Sequence, residues 1–421
     1  MRTSLLFLLL FPGLIHPFGF NTSIEDSISI KQKKYDSIYK LVINGKYTEC
    51  EQIINELIND KIYLYNLLLQ KQVLDDFNSG KIKEKNLKQY FELFNAYDNH
   101  LLKESELDLY RRIFDQYAPF QMLKAFNFNR LQESGKAKLV YDKLISEDST
   151  NYLFYSCRGD WFSSQLMFDS ALIDYTTALR LNPESDYCYL GAGLIYDKQQ
   201  DYKKAYEMLS KVKLFGLFST EILRIRTAYN NYAAQLMSEK NYELALSVLD
   251  ESLSFNDSFN DRYQDILFTN RGIVKYKLKK YEDALNDFDE ALYREGDTLK
   301  ICKSRYAVFL ELKQNIDAIK DLNYILIHEP SNTSYLYIIG EIYYEMEDYS
   351  KVLVYMKKIL TIEPDNTSAL YLCGVSCDFL KMYKEAVDHY NDFIRYEKEQ
   401  QDKRYLFVQK RAVELIKTLK Q

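Results

Sequence analysis

Cysteine and histidine are the residues of this 421-residue chain that are best suited to nucleophilic catalysis or metal binding. Cys377 and His389 are the one pair whose spacing suggests catalysis, because the two helices of a hairpin could bring a thiol close to an imidazole. No third orienting residue accompanies them, and the sequence contains no GxGxxG, GxxxxGK[ST], HExxH or GxSxG motif. His16, His100 and His328 are scattered along the chain and form no metal-binding set. These observations argue against an enzyme.

The six cysteines are compatible either with disulfides or with buried thiols, and they are Cys50, Cys157, Cys188, Cys302, Cys373 and Cys377. Cys373 and Cys377 lie one helical turn apart, which is poor disulfide geometry and lacks the further ligands of a zinc site. We therefore expect small apolar core residues with inert thiols. Asp283 and Asp287 also lie one turn apart, and we expect this acidic pair to be solvated on an outward face rather than catalytic.

The composition favours helices and a protein partner. Only 13 Gly and 6 Pro occur, against average usage of about 7% and 5%, so a fold with many tight turns is disfavoured. The formal net charge is −6. Because a nucleic-acid-binding protein needs a basic face, nucleic acid is not an expected partner. No cofactor motif is present either, so none is expected.

A repeat of about 34 residues organises most of the chain. Small residues mark its copies at Ala137, Ala171, Ala205, Ala245, Ala284, Ala318, Val352 and Ala386, and the steps on either side of Ala245 are longer than the others. An aromatic residue stands three positions before most of these, at Phe168, Tyr202, Tyr242, Tyr281, Tyr349 and Tyr383. Glycine stands twelve positions before, at Gly159, Gly193, Gly272, Gly340 and Gly374. Proline follows twelve positions after, at Pro183, Pro330 and Pro364.

This pattern predicts pairs of amphipathic helices that bury their faces only by stacking on their neighbours. Small residues allow close helix approach, the aromatics fill the adjacent space, and proline ends the second helix. The pattern resembles the tetratricopeptide repeat, and the segments YLFYSCRGDWFSSQLMFDSALIDYTTALRLNP and SYLYIIGEIYYEMEDYSKVLVYMKKILTIEP are close to its consensus. The resemblance covers about residues 120–399 and implies an all-α fold, a right-handed α-solenoid of stacked helix–turn–helix repeats.

The predicted organisation has four parts. Residues 1–20 read as an export signal, residues 21–117 as irregular or degenerate helical repeats, residues 118–400 as an array of about eight repeats, and residues 401–421 as a capping helix. The cap carries an apolar stripe at Tyr405, Val408, Ala412, Ile416 and Leu419 and polar residues on its other side, namely Lys410, Arg411, Glu414 and Lys417. Two insertions, near residues 218–225 and 256–265, fit either loops on the binding side or loose helix junctions.

The resemblance also implies an inner groove lined by the first helix of each repeat. Its predicted partner-binding residues are Tyr187, Asn230, Asn270, Tyr276, Lys300, Lys303, Tyr337, Tyr344 and Tyr371. Repeats of this family that clamp a peptide carboxylate use Asn and Lys, and Asn270 and Lys300 fit that pattern. Ala234 and Ser304 stand where the clamp has Asn and Arg. A looser polar and aromatic groove for an extended peptide, centred on residues 230–305, fits this sequence better than a complete clamp.

The first residues predict export. A short basic start precedes LLFLLLFPGLI, an apolar core that is too short to span a bilayer. We expect a secreted or periplasmic protein, lumenal in a eukaryote, with no membrane span in the mature chain. The leading functional hypothesis is a non-enzymatic scaffold that binds a protein or peptide. The alternative is an envelope protein that binds a glycan or another small ligand.

Overall fold

The computed structural model describes residues 22–59, 64–99, 102, 104–213, 219–255, 263–397 and 403–420. These residues form 22 α-helices, and no strand occurs among them. The prediction of an all-α fold made of repeated helix–turn–helix units is therefore confirmed. The chain divides into two compact units, Met1–Asp261 and Arg262–Gln421. The export signal predicted at residues 1–20 lies outside the described residues.

Unit 1 begins with five helices that do not follow the regular repeat step. They are α1 (Thr22–Ile43), α2 (Tyr47–Asn59), α3 (Leu64–Asn78), α4 (Glu84–Asn99) and α5 (Glu104–Phe114). Their core is rich in aromatic residues, and Tyr90 contacts Phe94 and Phe114 with ring centroids 6.1 Å apart in each case. Phe120 of the next helix belongs to the same core cluster. These helices therefore share a hydrophobic core with the first regular repeat.

Four helix pairs complete unit 1. They are α6 (Ala118–Arg130) with α7 (Ser134–Glu147), α8 (Tyr152–Ser164) with α9 (Phe168–Leu181), α10 (Asp186–Lys198) with α11 (Tyr202–Leu209), and α12 (Ser219–Ser238) with α13 (Tyr242–Leu253). Of the first insertion, predicted near residues 218–225, residue 218 lies outside the described residues and the rest belongs to α12. Most first helices have 13 or 14 residues, whereas α12 has 20. Part of the inserted sequence therefore lengthens a helix rather than a loop.

Unit 2 contains four further pairs and a last single helix. They are α14 (Gln264–Lys277) with α15 (Tyr281–Tyr293), α16 (Thr298–Glu311) with α17 (Asn315–His328), α18 (Thr333–Glu345) with α19 (Tyr349–Ile362), α20 (Thr367–Phe379) with α21 (Tyr383–Tyr396), and α22 (Lys403–Leu419). The aromatic residue of each repeat begins its second helix, and Asn315 takes that place in α17. Each of Pro183, Pro330 and Pro364 lies two positions beyond the end of a second helix.

The turn inside every pair contains one non-glycine residue with a left-handed backbone. These residues have φ between 57° and 62° and lie two positions before the second helix: Gln132, Leu166, Gln200, Lys240, Lys279, Lys313, Glu347 and Lys381. Such a conformation is strained for a residue that carries a Cβ atom. The same strained turn in every pair shows that helix packing, and not turn chemistry, sets the angle of the hairpin.

The repeated glycines bring the two helices of a pair into contact. A Cβ atom at Gly159 would lie 2.9 Å from the ring of Tyr175, and one at Gly374 would lie 2.4 Å from the ring of Tyr390. Gly272 has the same relation to Phe288. The separation along the chain is the same in all three pairs, so an equivalent side chain of each second helix crosses directly over the first helix. These glycines are therefore positions where the two helices of a pair lie in direct contact.

The last helix, α22, matches the predicted cap only in part. Tyr405, Val408 and Ala412 are buried as predicted, but Leu419 is 50% exposed and Leu415 is buried in its place. At about 100° per residue Leu419 lies on the same side of the helix as the buried residues, and it is exposed at the last position of α22. Arg411, predicted on the polar side, instead donates hydrogen bonds to a carboxylate of α20.

Candidate functional site: the first-helix face of the repeats

Three arginines on first helices are paired with aspartates on their own second helices. The Nε atom of Arg158 donates to Asp174 Oδ2 over 2.7 Å, and its Nη2 atom donates to Asp174 Oδ1 over 2.8 Å. Arg305 binds Asp321 in the same way, over 2.9 and 2.8 Å. The aspartates are buried, with 2% and 4% of their surface exposed. These bidentate pairs fix the rotation of each first helix and so determine which residues it presents on its free face.

The third pair corrects the expectation that Asp287 is solvated. Asp287 is 3% exposed and accepts hydrogen bonds from Arg271 over 2.8 and 2.7 Å, while Lys275 Nζ lies 2.8 Å from it. Asp283, one turn earlier, is exposed. The two acids differ because position 287 points towards the first helix. The sequence signal for all three pairs was an arginine followed by an aspartate at a fixed separation, the same separation that relates each glycine to its aromatic residue.

Two of these arginines also connect neighbouring repeats. Arg158 Nη1 donates to Asp142 Oδ1 of the preceding second helix over 2.8 Å, and Arg305 Nη1 donates to Asp289 Oδ1 over 2.7 Å. The hydrogen bond with Asp174 is the main cause that holds the pKa of the Arg158 guanidinium above its usual range. The arrangement keeps successive first helices in register along each unit.

In unit 1 the predicted residues Tyr187 and Asn230 lie on α10 and α12. Both are half-buried. Burial, followed by the charge of Asp160, raises the pKa of the Tyr187 phenol, and the Asp160 side chain shares a hydrogen bond with it. Tyr175 also donates its hydroxyl hydrogen to Asp160, over 2.5 Å. Tyr187 is therefore tied to the preceding repeat by its hydroxyl group, and a ligand could contact only its ring.

In unit 2 the two predicted lysines lie on α16, and both are exposed. Lys303 forms an ion pair with Glu329, which lies just after α17, and this hydrogen bond raises the pKa of the ammonium group. The backbone N–H of Lys300 donates to the side chain of Asp297 over 3.0 Å, which caps α16. Ser304 donates to the backbone carbonyl of Lys300 over 3.2 Å. The Lys300 side chain thus projects from the first turn of a capped helix.

The predicted polar and aromatic residues of α14 are half-buried. They are Asn270 and Tyr276. The ring of Tyr276 lies 6.0 Å from that of Tyr281, whose hydroxyl donates to Glu311 over 3.2 Å. Burial, and then the charge of Glu311, raises the pKa of Tyr276. These tyrosines therefore stay neutral over the physiological pH range and act through their rings and hydroxyl hydrogen bonds.

Three predicted tyrosines lie on α18 and α20 and are half-buried. They are Tyr337, Tyr344 and Tyr371. The structure brings Tyr337 and Tyr371 into the same neighbourhood, because both interact with Arg404 of α22. The guanidinium carbon of Arg404 lies 5.9 Å from the ring centroid of Tyr371, and its charge lowers the pKa of Tyr337 against the larger effect of burial.

Tyr344 begins an aromatic group that the sequence did not reveal. Its ring lies 5.8 Å from that of Tyr349, which in turn stacks on Phe379 with centroids 4.4 Å apart and planes 3° apart. Phe379 is 58% exposed. Parallel stacking of an exposed phenylalanine gives a flat apolar surface at the turn end of α18 and α20. Phe379 is not among the residues predicted to line the inner groove, so the sequence pattern did not indicate it.

The proposed pair of Cys377 and His389 lacks the properties of a catalytic pair. Cys377 is completely buried, and burial raises its pKa to about 11. Burial and the nearby Lys357 lower the pKa of His389. A reactive cysteine needs a depressed pKa, so both groups are neutral here for structural reasons. The six cysteines are all buried free thiols, which confirms the expectation of core residues.

The described part of the chain shows neither a metal-binding cluster nor a membrane-spanning helix. No group of three or more His, Cys, Asp or Glu residues there could hold a metal ion. Among the same residues, no helix is long and apolar enough to cross a membrane. His328 is exposed, and its Nδ1 atom lies 3.1 Å from the backbone carbonyl of Tyr324, whereas His16 and His100 lie outside the described residues.

Known proteins match parts of this chain. A family model described as "Anaphase-promoting complex, cyclosome, subunit 3" matches residues 313–393, from just after α16 into α21. The Hsp70-Hsp90 organising protein of Plasmodium falciparum is 23% identical over 162 residues, which are 33% of this chain and 29% of that protein. A TPR repeat-containing protein of Methanocaldococcus jannaschii is 27% identical over 188 residues, 43% of this chain and 31% of that protein.

Both relatives are thus matched over only about a third of their own length. Among solved structures, MamA from Desulfovibrio magneticus RS-1 is 22% identical and covers 42% of this chain and 97% of its own, with a TM-score of 0.35. The repeated helix pairs have the arrangement of tetratricopeptide-like repeats, and the relative from Methanocaldococcus jannaschii is named for this repeat.

Proposed function

We propose that this protein is a non-enzymatic scaffold that binds an extended segment of a partner protein on the first-helix face of its repeats. One observation carries the proposal. In unit 2 a glycine contact or an Arg–Asp pair fastens one side of every first helix to its second helix, and the predicted inner residues remain at least partly accessible on the other side. That side offers an exposed lysine, amide groups and tyrosine rings, which suit the backbone and side chains of a peptide.

The part of this face on α14, α16, α18 and α20 of unit 2 is the best supported. Lys300 supplies an exposed positive charge one repeat after Asn270. Tyr337 and Tyr371 supply aromatic rings two and three repeats after Asn270. The Plasmodium relative is named as an Hsp70-Hsp90 organising protein, which supports a protein partner in general terms. Ala234 and Ser304 still replace the clamp residues, so we propose a polar and aromatic surface rather than a carboxylate clamp.

The test is a charge reversal at Lys300. A partner is first isolated by affinity purification of the tagged full-length protein and reduced to a binding peptide. We expect Lys300→Glu to weaken binding of that peptide about tenfold, as one lost charge contact and one new repulsion imply. Lys303 is less suitable, because its reversal would also break the ion pair with Glu329.

Lys320 provides the matched control. It lies on the second helix α17, and its side chain is 71% exposed and pairs only with the nearby Asp317 among the described contacts. We expect Lys320→Glu to leave binding unchanged. Equal loss at both positions would mean a general charge effect, and unchanged binding at Lys300 would remove this face from the account. Retention of a glycan with no protein would support the glycan-binding alternative instead.

We also propose that the protein is exported, on the basis of the basic start and the apolar run at residues 5–15. Amino-terminal sequencing of the protein from its native cells tests this. A mature chain beginning near residue 20 is expected, and an intact Met1 on protein that stays inside the cell would contradict export.

A further inference from the structure

Helix α22 packs on the last repeat in the way that a further first helix would. Arg411 of α22 donates from Nε and Nη2 to the two carboxylate oxygens of Asp378 on α20, over 2.6 and 2.9 Å. Asn231 of the first helix α12 likewise donates to Asp197 of α10, over 2.9 Å, and Asp197 and Asp378 hold equivalent positions in their repeats. A regular first helix is also covered by the second helix of its own pair. No described helix covers α22 in this way, so its outward face is exposed.

Three lysines form a stripe on this outward face. Lys403, Lys410 and Lys417 follow one another at intervals of seven residues, which places them on one side of the helix. Val408 and Ala412, which are buried against the last repeat, lie on the opposite side. All three lysines are exposed, and none of them forms an ion pair among the described residues. The stripe therefore carries positive charge that the described part of the protein does not neutralise.

The acidic groups nearest to the stripe in sequence are already engaged. Glu414 is the only carboxylate of α22, and it accepts a hydrogen bond from Arg411 Nη1 over 3.1 Å. The same guanidinium group occupies Asp378. The formal net charge of the whole chain is −6, so this basic stripe is opposite in sign to the protein as a whole. It complements acidic side chains of another molecule.

Exposed apolar side chains flank the lysines. Leu406 and Val413 lie on one side of the stripe and are 58% and 50% exposed, and Phe407 lies on the other side and is 47% exposed. Leu406 and Val413 are also seven residues apart, so they form a short apolar seam parallel to the lysines. A cap that only faces water has no need of these side chains. An apolar seam with charges beside it is typical of a helix that pairs with another amphipathic helix.

We propose that the outward face of α22 binds an acidic amphipathic helix of a partner protein. Apolar side chains of that helix would cover Leu406 and Val413, and its Glu or Asp side chains would pair with Lys410 and Lys417. A helix that lies in a membrane needs one broad apolar face, and the broad apolar face of α22 is packed on α20 and α21. The proposal goes beyond the binding of an extended segment near Lys300, because this face lies on another helix and recognises a helical partner.

The experiment measures binding of a fluorescent peptide to the full-length protein by anisotropy. The peptide is a designed amphipathic helix with leucine at the seam positions of each heptad and glutamate at the flanking positions. We expect the wild-type protein to bind it and the double variant Lys410→Glu/Lys417→Glu to bind it about tenfold more weakly or worse. The control Lys320→Glu/Lys384→Glu makes the same change in net charge at exposed positions of two second helices and should leave the affinity unchanged.

A second variant separates helix docking from simple charge attraction. Leu406→Ser/Val413→Ser keeps every lysine and should still lose about fivefold in affinity, because the apolar seam is removed. A peptide with lysine in place of glutamate should not bind. Lys300→Glu leaves the outward face of α22 intact, so the proposed function and this proposal can fail independently.

Four results would overturn the proposal. They are no binding of the peptide to wild type, equal loss in the two charge-reversal proteins, unchanged binding to the serine variant, and binding of the protein to phosphatidylserine vesicles without binding to the peptide. The last result would assign this face of α22 to a membrane surface.

Discussion

Replacement of Gly374 by alanine tests the claim that a second-helix side chain lies directly against the first helix. The new Cβ atom would lie 2.4 Å from both Cδ1 and Cε1 of Tyr390, whose ring is completely buried. A rigid ring cannot swing aside, and forced overpacking costs about 1–3 kcal/mol. Alanine recovers about 1 kcal/mol of helix propensity. Taking the upper end of the overpacking range, we expect a net loss of about 2 kcal/mol.

Two other glycines calibrate this prediction. A Cβ atom at Gly340 would lie 2.1 Å from the terminal Cε of Met356 and no closer than 3.5 Å to its other atoms. Because that flexible end can move, Gly340→Ala should cost about 1 kcal/mol or less. Gly135 has no atom within 4 Å of its added Cβ, so Gly135→Ala should stabilise by about 0.5–1 kcal/mol.

Urea and thermal unfolding followed by circular dichroism measure all three variants. For a unit of this size, 1 kcal/mol corresponds to about 2–4 °C, so Gly374→Ala should lower the transition of unit 2 by about 4–8 °C. The order of stability should be Gly135→Ala above wild type, Gly340→Ala near it and Gly374→Ala below it. A Gly374→Ala protein as stable as wild type would refute the packing argument, as would a larger loss at Gly340.

Three further predictions concern the turns, the aspartates and a half-buried carboxyl group. Leu166→Gly should raise stability by about 1 kcal/mol in urea titrations, since the residue has φ 59° and its side chain is 70% exposed; a loss would contradict turn strain. Asp287→Ala should lower it by about 3 kcal/mol by leaving Arg271 unpaired, whereas Asp283→Ala should change it by less than about 0.5 kcal/mol; equal effects would contradict the difference in burial. Burial raises the pKa of Asp98 to about 7, so the folded state holds an extra proton between about pH 4 and 7 and loses stability as pH rises through that range. The free energy of unfolding of Asp98→Asn, relative to that of wild type, should therefore rise by roughly 2 kcal/mol from pH 4 to pH 8. This is about half of what the full pKa shift implies, because the half-buried group stays partly hydrated. A pH-independent difference would contradict this.

The fold was predictable because the repeat imposes the same packing many times. A small residue, an aromatic residue and a glycine at fixed spacing leave one arrangement of two helices that can be buried. The strained turns were not predictable, because none of the left-handed positions inside the helix pairs carries glycine. Their conformation follows from the packed helices on either side and not from the local sequence.

The sequence predicted which helix face carries the candidate site. It did not predict which side chains on that face are engaged by other residues of the protein. Lys303 and Tyr187 lie on first helices as expected, but Glu329 and Asp160 engage them, and these partners come from other parts of the repeat array. The expectation that Asp287 is solvated was wrong, because it considered only the neighbouring acid Asp283. The partner of Asp287 is Arg271, which lies on the other helix of the pair. Contacts across helices depend on the rotation of each helix, which only the assembled fold determines.

Site-specific photocrosslinking tests the central claim of partner binding on the first-helix face most directly. A photoreactive phenylalanine analogue is placed at position 300 or, as the control, at position 320 of the tagged full-length protein. Lys300 lies on a first helix and Lys320 on a second helix, and both are exposed. We expect one defined partner peptide to crosslink to position 300 and none to position 320. Crosslinks at position 320 alone, or equally at both positions, would contradict the account.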